Sequence, residues 1–259
     1  IISCSQKTEF PLEITKRPIP DDYPTTTQMP NQHNGLGTLC SNEEECIIFC
    51  HNNRGRCEDY CNKNPANKIC QSLFPQNNLP SCGSNYELFS NSPIAVPEIS
   101  NIVPLGNLNP SGHTFPTSHL YFFTKNKQIS SLMAPSDIWI TGIESTEVLS
   151  ENPYTDYSIR FSPCKEFYAY FHHVSNISQE LKNVFVAPFN ECQEYVTGGE
   201  LYRRCRKNVK ILVKAGNTLG MAGAKGGLDF GASDTRVAKL QYANPSRWGE
   251  GKGNPLQLY

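Results

Sequence analysis

From residue 82 onward the chain falls into short runs rich in β-branched and aromatic residues. Leu120 to Phe123, Ile138 to Ile143, Tyr157 to Phe161, Phe167 to Phe171 and Val209 to Val213 each read as a strand. Gly216, Gly220, Gly223, Gly226 and Gly227 punctuate the last third, as tight turns between strands require. Tyr195-Val196-Thr197-Gly198-Gly199 reads as a hairpin bracketed by Cys192 and Cys205, which makes those two the favoured local pair. With Cys82 and Cys164 these make four cysteines for two further bridges, and other pairings of the four stay open.

The stretch from 40 to 70 has a different pattern. Cys40, Cys46, Cys50, Cys57, Cys61 and Cys70 crowd into it. Ser41-Asn42-Glu43-Glu44 is a capping box that starts a helix. Cys46 and Cys50 are four apart and share one helical face, and Cys57 and Cys61 repeat the spacing after a connection with Asn52, Asn53 and Gly55. Two antiparallel helices joined this way set the inner and outer pairs opposite each other. That predicts Cys50–Cys57 and Cys46–Cys61. Asn64-Pro65 offers an N-cap and a first-turn proline for a third helical turn carrying Cys70, so Cys40–Cys70 would close the module. A unit this small buries too little apolar surface to fold alone, and the disulfides take the place of a core.

The expected organisation is therefore a Pro/Thr/Asn-rich arm or linker over 1–38 and a disulfide-stapled helical module over 39–75. A mainly β domain over 82–243 and an irregular Gly/Pro-rich tail over 244–259 follow. The net charge of −1 carries no basic excess, which argues against a nucleic-acid partner. No apolar run approaches the roughly 18 residues of a membrane helix. Eleven cysteines without a zinc-finger spacing point to disulfides and hence to an extracytoplasmic, secreted or cell-surface setting. Ile1-Ile2-Ser3-Cys4 has the look of a lipoprotein box. A lipid anchor at Cys4 and an ordinary disulfide role are the alternatives, and setting Cys4 aside leaves an even number of cysteines.

Candidate chemistry lies between residues 112 and 231. Gly112-His113-Thr114-Phe115-Pro116-Thr117-Ser118-His119 precedes an apolar run, and Met133-Ala134-Pro135-Ser136-Asp137-Ile138 comes next. Tyr168-Ala169-Tyr170-Phe171-His172-His173-Val174-Ser175, then Val213-Lys214-Ala215-Gly216-Asn217-Thr218-Leu219-Gly220, then Gly227-Leu228-Asp229-Phe230-Gly231 complete the series. In this order the motifs resemble the core of the lysostaphin/LytM-like (M23) zinc endopeptidases, over about residues 100 to 235. The resemblance implies a barrel-sandwich hybrid β domain, a fold whose strand-glycine-strand sequences also occur in biotinyl carriers. It also implies a zinc site with an open position for the attacking water. On that pattern His173-Val174-Ser175 matches the strand-end element whose histidine is catalytic, with His172 as an adjacent substitute. Asp229 falls on a ligating histidine's position. His113 and His119 lie where the first His/Asp ligand motif belongs, but six apart rather than four. Gly227 falls on a histidine that moves protons, and glycine cannot.

Each of these residues also has a plainer reading. His119 precedes a strand and suits a core histidine, and Asp229 suits a turn carboxylate. His113 suits an exposed loop. His172 and His173 are neighbours on a strand and would face opposite sides. The primary reading is a degenerate M23-like domain that binds or scaffolds a cell-envelope polymer, a glycan or a surface protein, without peptidase activity. One alternative is an active zinc hydrolase with a rearranged ligand set drawn from His113, His119, His173 and Asp229. Another is a self-assembling subunit of a surface layer or filament.

Overall fold

The structure is a computed structural model that describes residues 53–237 apart from 65, 108–116, 118, 151–152 and 225, together with 45–46 and 49–50. The expected arm, the capping box, Cys4, Cys40, His113 and the expected tail lie outside the described residues. The protein is mainly antiparallel β sheet with a small α module.

The α module contains α1 (Arg54–Lys63) and α2 (Lys68–Leu73). Asn64 closes α1, with its backbone N–H on the Tyr60 and Cys61 carbonyls. Asn67, not Asn64, caps α2, because its side chain accepts from the Ile69 and Cys70 N–H groups. The expected Cys50–Cys57 bond forms, but Cys61 bonds to Cys70. That excludes both Cys46–Cys61 and Cys40–Cys70. The reason is the tight turn after α1, which folds α2 back until the Cα atoms of Cys61 and Cys70 are 5.2 Å apart. Cys46 is also disulfide-bonded. The cysteines and Phe74 form their own buried cluster, with Phe49, Tyr60, Ile69 and Leu73 around it. The described residues nevertheless belong to one compact unit. Hydrogen bonds from Asn208 to the Leu73 carbonyl and from Lys210 to the Asn78 carbonyl tie the module to the sheet.

Among the described residues ten strands follow: β1 (Ile99–Val103), β2 (Leu120–Thr124), β3 (Ser130–Met133), β4 (Ile138–Val148), β5 (Tyr154–Cys164), β6 (Phe167–Ile177), β7 (Glu191–Thr197), β8 (Glu200–Val213), β9 (Thr218–Ala222) and β10 (Gly227–Asp234). A short helix α3 (Gln179–Val184), capped by Ser178, leads away from β6. The five runs expected to be strands fall in β2, β4, β5, β6 and β8. The main path runs β1-β2-β10-β6-β5-β4-β8-β7, and β9 pairs with both β3 and β6. Alternation puts Phe171, Ile159, Phe161, Ile140, Ile143 and Leu228 in one buried cluster, joined by Leu132 and Leu219 of the β3–β9 pair. Each such side chain contributes about 1.5–3 kcal/mol on burial.

Gly198 and Gly199, both at positive φ, form the two-residue turn between β7 and β8. The turn sets Cys192 directly opposite Cys205, and the expected bond between them is present. Cys82–Cys164 joins the segment before β1 to the end of β5. Among the described residues, no helix is long and apolar enough to cross a membrane.

Candidate functional site

β10 runs between β2 and β6, and Asp229 lies on it between two buried or half-buried neighbours. Leu228 and Phe230 pack into the core, so Asp229 projects from the other face. The register sets it between Tyr121 on β2 and His172 on β6. His119, two residues before Tyr121, joins that face, and its Nε2 is 3.4 Å from Asp229 Oδ2. The His119 and Tyr121 rings meet edge to face.

His173 reaches the same carboxylate by an irregular route. Tyr157 pairs with Val174 and Ile159 with Phe171, so Ser158 alone faces both His172 and His173. This is a β-bulge. His173 sits in it at φ +62°, a left-handed conformation costly for a residue with a Cβ. The bulge marks the point where β6 leaves β10 and takes up β9. A regular strand would send His172 and His173 to opposite faces, as the sequence suggested. The bulge brings both to the Asp229 side. His173 Nε2 lies 3.6 Å from Asp229 Oδ2, and its Nδ1 lies 2.8 Å from Asp156 Oδ2.

Burial sets the electrostatics. It holds the His172 imidazole below its ordinary pKa, against the opposing pull of Asp229 and Glu144, so the ring is neutral near pH 7. Burial also raises the Tyr121 phenol, and the Asp229 charge adds to the effect. Tyr121 is therefore a phenol, not a phenolate, at any physiological pH.

No protein-family model matches this chain, and neither a curated protein nor a solved structure does. The assignment of chemistry rests on the geometry.

Two imidazole nitrogens and one carboxylate oxygen suit zinc by donor type. Ligands held at 2.0–2.2 Å from a tetrahedral zinc stand about 3.3–3.5 Å from one another. The His119–Asp229 and His173–Asp229 separations of 3.4 and 3.6 Å are of that size. His119 and Asp229 stand close enough to share a cation, whereas His173 reaches the same oxygen from a position too far from His119 for one ion to take all three. Position 227 is closely enclosed. Phe123 lies opposite Gly227 in the ladder, and a Cβ at Gly227 would stand 3.3 Å from its ring. The space that a proton-moving side chain would enter is lined by an aromatic ring.

Sequence reasoning missed Tyr121 and Asp156. Tyr121 was within reach, since it alternates with Leu120 and Phe122 two positions after His119. Asp156 was not, because only the fold brings β5 beside the bulge. Among the described residues the one group of three potential ligands whose ligand atoms all lie close together is Cys82, Cys164 and Glu166, and its two cysteines are consumed by their disulfide. Glu166 there accepts the Cys82 N–H and the Ser81 hydroxyl.

Proposed function

We propose that this chain is an extracytoplasmic protein whose M23-like, barrel-sandwich-hybrid β domain holds a divalent cation, zinc by donor chemistry, at His119 and Asp229. In this reading the site serves binding: it recognises a cell-envelope polymer, a glycan or a surface protein, and it does not cut peptide bonds. The approach of His119 Nε2 to within 3.4 Å of a buried Asp229 carboxylate oxygen carries the cation part. Gly227, with Phe123 against it, supports the loss of hydrolysis, because the peptidase pattern needs a proton-moving group there. The four disulfides defined among the described residues suit an oxidising compartment.

The test is elemental mass spectrometry on protein purified without chelators, with Asp229→Ala alongside, and a cell-wall peptide cleavage assay on the same samples. About one zinc per chain is expected from the single ligand set, lost in the variant, with no cleavage by either protein. Absence of metal from the wild type would defeat the cation part and leave the β domain as a scaffold.

A zinc hydrolase with a rearranged ligand set is the second reading. The Asp156–His173 contact favours it, since a carboxylate behind an imidazole is the usual support of a general base. Cleavage by the wild type, abolished in both His173→Ala and Asp229→Ala, would replace the binding reading with this one.

A further inference from the structure

We propose that Asn176 is an N-glycosylation site, whose side-chain amide carries an oligosaccharide in the mature protein. The inference is independent of the cation and rests only on the extracytoplasmic part of the reading above.

Asn176-Ile177-Ser178 is an Asn-x-Ser acceptor triplet. Asn109-Pro110-Ser111 and Asn244-Pro245-Ser246 have the same outline, but a proline in the middle position bars both. Proline fixes φ and removes the backbone N–H, so those triplets cannot fold their hydroxyl toward the asparagine amide. That leaves one usable triplet in the chain.

The fold decides whether this triplet can carry a sugar. Asn176 is the last residue but one of β6 and is exposed, while Val174 and Ile177 on either side of it point into the core. Its backbone is held in the ladder opposite Met221 of β9. Among the described residues its side chain makes no hydrogen bond. Asparagine is disfavoured in strands and is normally kept for a bond to nearby backbone. Asn53, Asn64 and Asn67 each make such a bond around the helices of the α module. Asn176 has no such task, and its Nδ2 opens onto solvent, where a large polar chain displaces nothing.

The rest of the triplet sets the timing. Ile177 is buried, and Ser178 accepts from the Leu181 N–H while its own N–H bonds the Leu219 carbonyl. A transferase needs the triplet free, so transfer precedes the closure of β9 on β6. The co-reactant is an oligosaccharide held through phosphate on a lipid. Asn176 Nδ2 attacks C1 of its first sugar, the N–C1 bond forms and the C1–O bond to phosphate breaks. The lipid phosphate leaves with that electron pair, and Nδ2 gives up one proton.

The test is peptide mass spectrometry on the full chain isolated from its native source cells. Trypsin releases residues 166–182, in which Asn176 is the one asparagine. This peptide should be heavier by one oligosaccharide, and electron-transfer fragmentation should locate the added mass on Asn176. Produced in the same cells, Asn176→Gln and Ser178→Ala should lose the added mass. Ser178→Thr should keep it, since threonine retains both the acceptor hydroxyl and the cap of α3.

An unmodified peptide from the native protein would overturn the inference. So would added mass that persists in Asn176→Gln, or that lies on Ser175 or Ser178. Alkylation of the same sample before reduction separates the two readings. Disulfides without a sugar would sink this inference alone. Free thiols at Cys82, Cys164, Cys192 and Cys205 would sink the extracytoplasmic reading, and this inference with it.

Discussion

Glu144 places a carboxylate in the middle of β4, and Arg204 and Arg206 of β8 meet it from the same face at 2.7 and 2.9 Å. Burial pushes its pKa up, but the hydrogen bonds and charges of the two arginines outweigh that and hold it below the ordinary carboxylate value. A folded pKa depressed below the unfolded one contributes stability at pH values above the unfolded value near 4.5. That stability is lost as pH falls through the folded pKa. Glu144→Gln should therefore destabilise the protein by about 1.5–3 kcal/mol at pH 7 and flatten the acid limb of its denaturation profile below pH 4.5. Denaturant titrations at pH 7 and through the acid range check both, and an unchanged acid limb would refute the assignment. At this scale the sequence identifies residue types and little of their company. His119, His173 and Asp229 were legible because they sit in short motifs. Asp156 and Glu144 were not, because their partners come from strands distant in sequence.

At the scale of elements, β6 and β9 show how one glycine permits a strand exchange. β9 takes over β6 from Val174 onward, and Gly220 pairs with Ile177. A Cβ at Gly220 would fall on the Asn176 carbonyl oxygen, which is backbone and cannot swing aside. Gly220→Ala should cost about 1–3 kcal/mol and raise amide exchange in β9 more than in β4 or β5. Wild-type exchange in β9 would show that the strands accommodate the methyl group. The apolar runs were readable as strands because aromatic and β-branched residues cluster there. The bulge at His172 and His173 was not readable, since nothing local distinguishes two histidines in regular register from two that share one cross-strand neighbour. The helical module repeats the lesson. Four-residue cysteine spacing correctly predicts a shared helical face and the Cys50–Cys57 bond. It cannot predict where α2 folds back, and that turn gives Cys61 to Cys70.

For the whole molecule, the longest constraint is Cys82–Cys164, which closes a separation of 82 residues and ties the chain entering the sheet to the end of β5. Replacing both cysteines by serine should lower stability by about 2–5 kcal/mol. A thermal melt of this variant beside the wild type checks it, and coincident transitions would show that the bridge adds no stability. The wild type should lose a comparable amount when that bond is reduced. Short runs of aromatic and β-branched residues in the β region already determine a mainly β domain. Crowded cysteines determine a small stapled helical module, because local spacing and side-chain chemistry act over a few residues. Tertiary structure alone decides the strand order, the partners of Cys61 and Cys70, and the meeting of His119, His173, Asp156 and Asp229. Those four come from three strands and the segment entering a fourth. Their proximity depends on cross-strand register and on one bulge, and neither leaves a local mark in the chain.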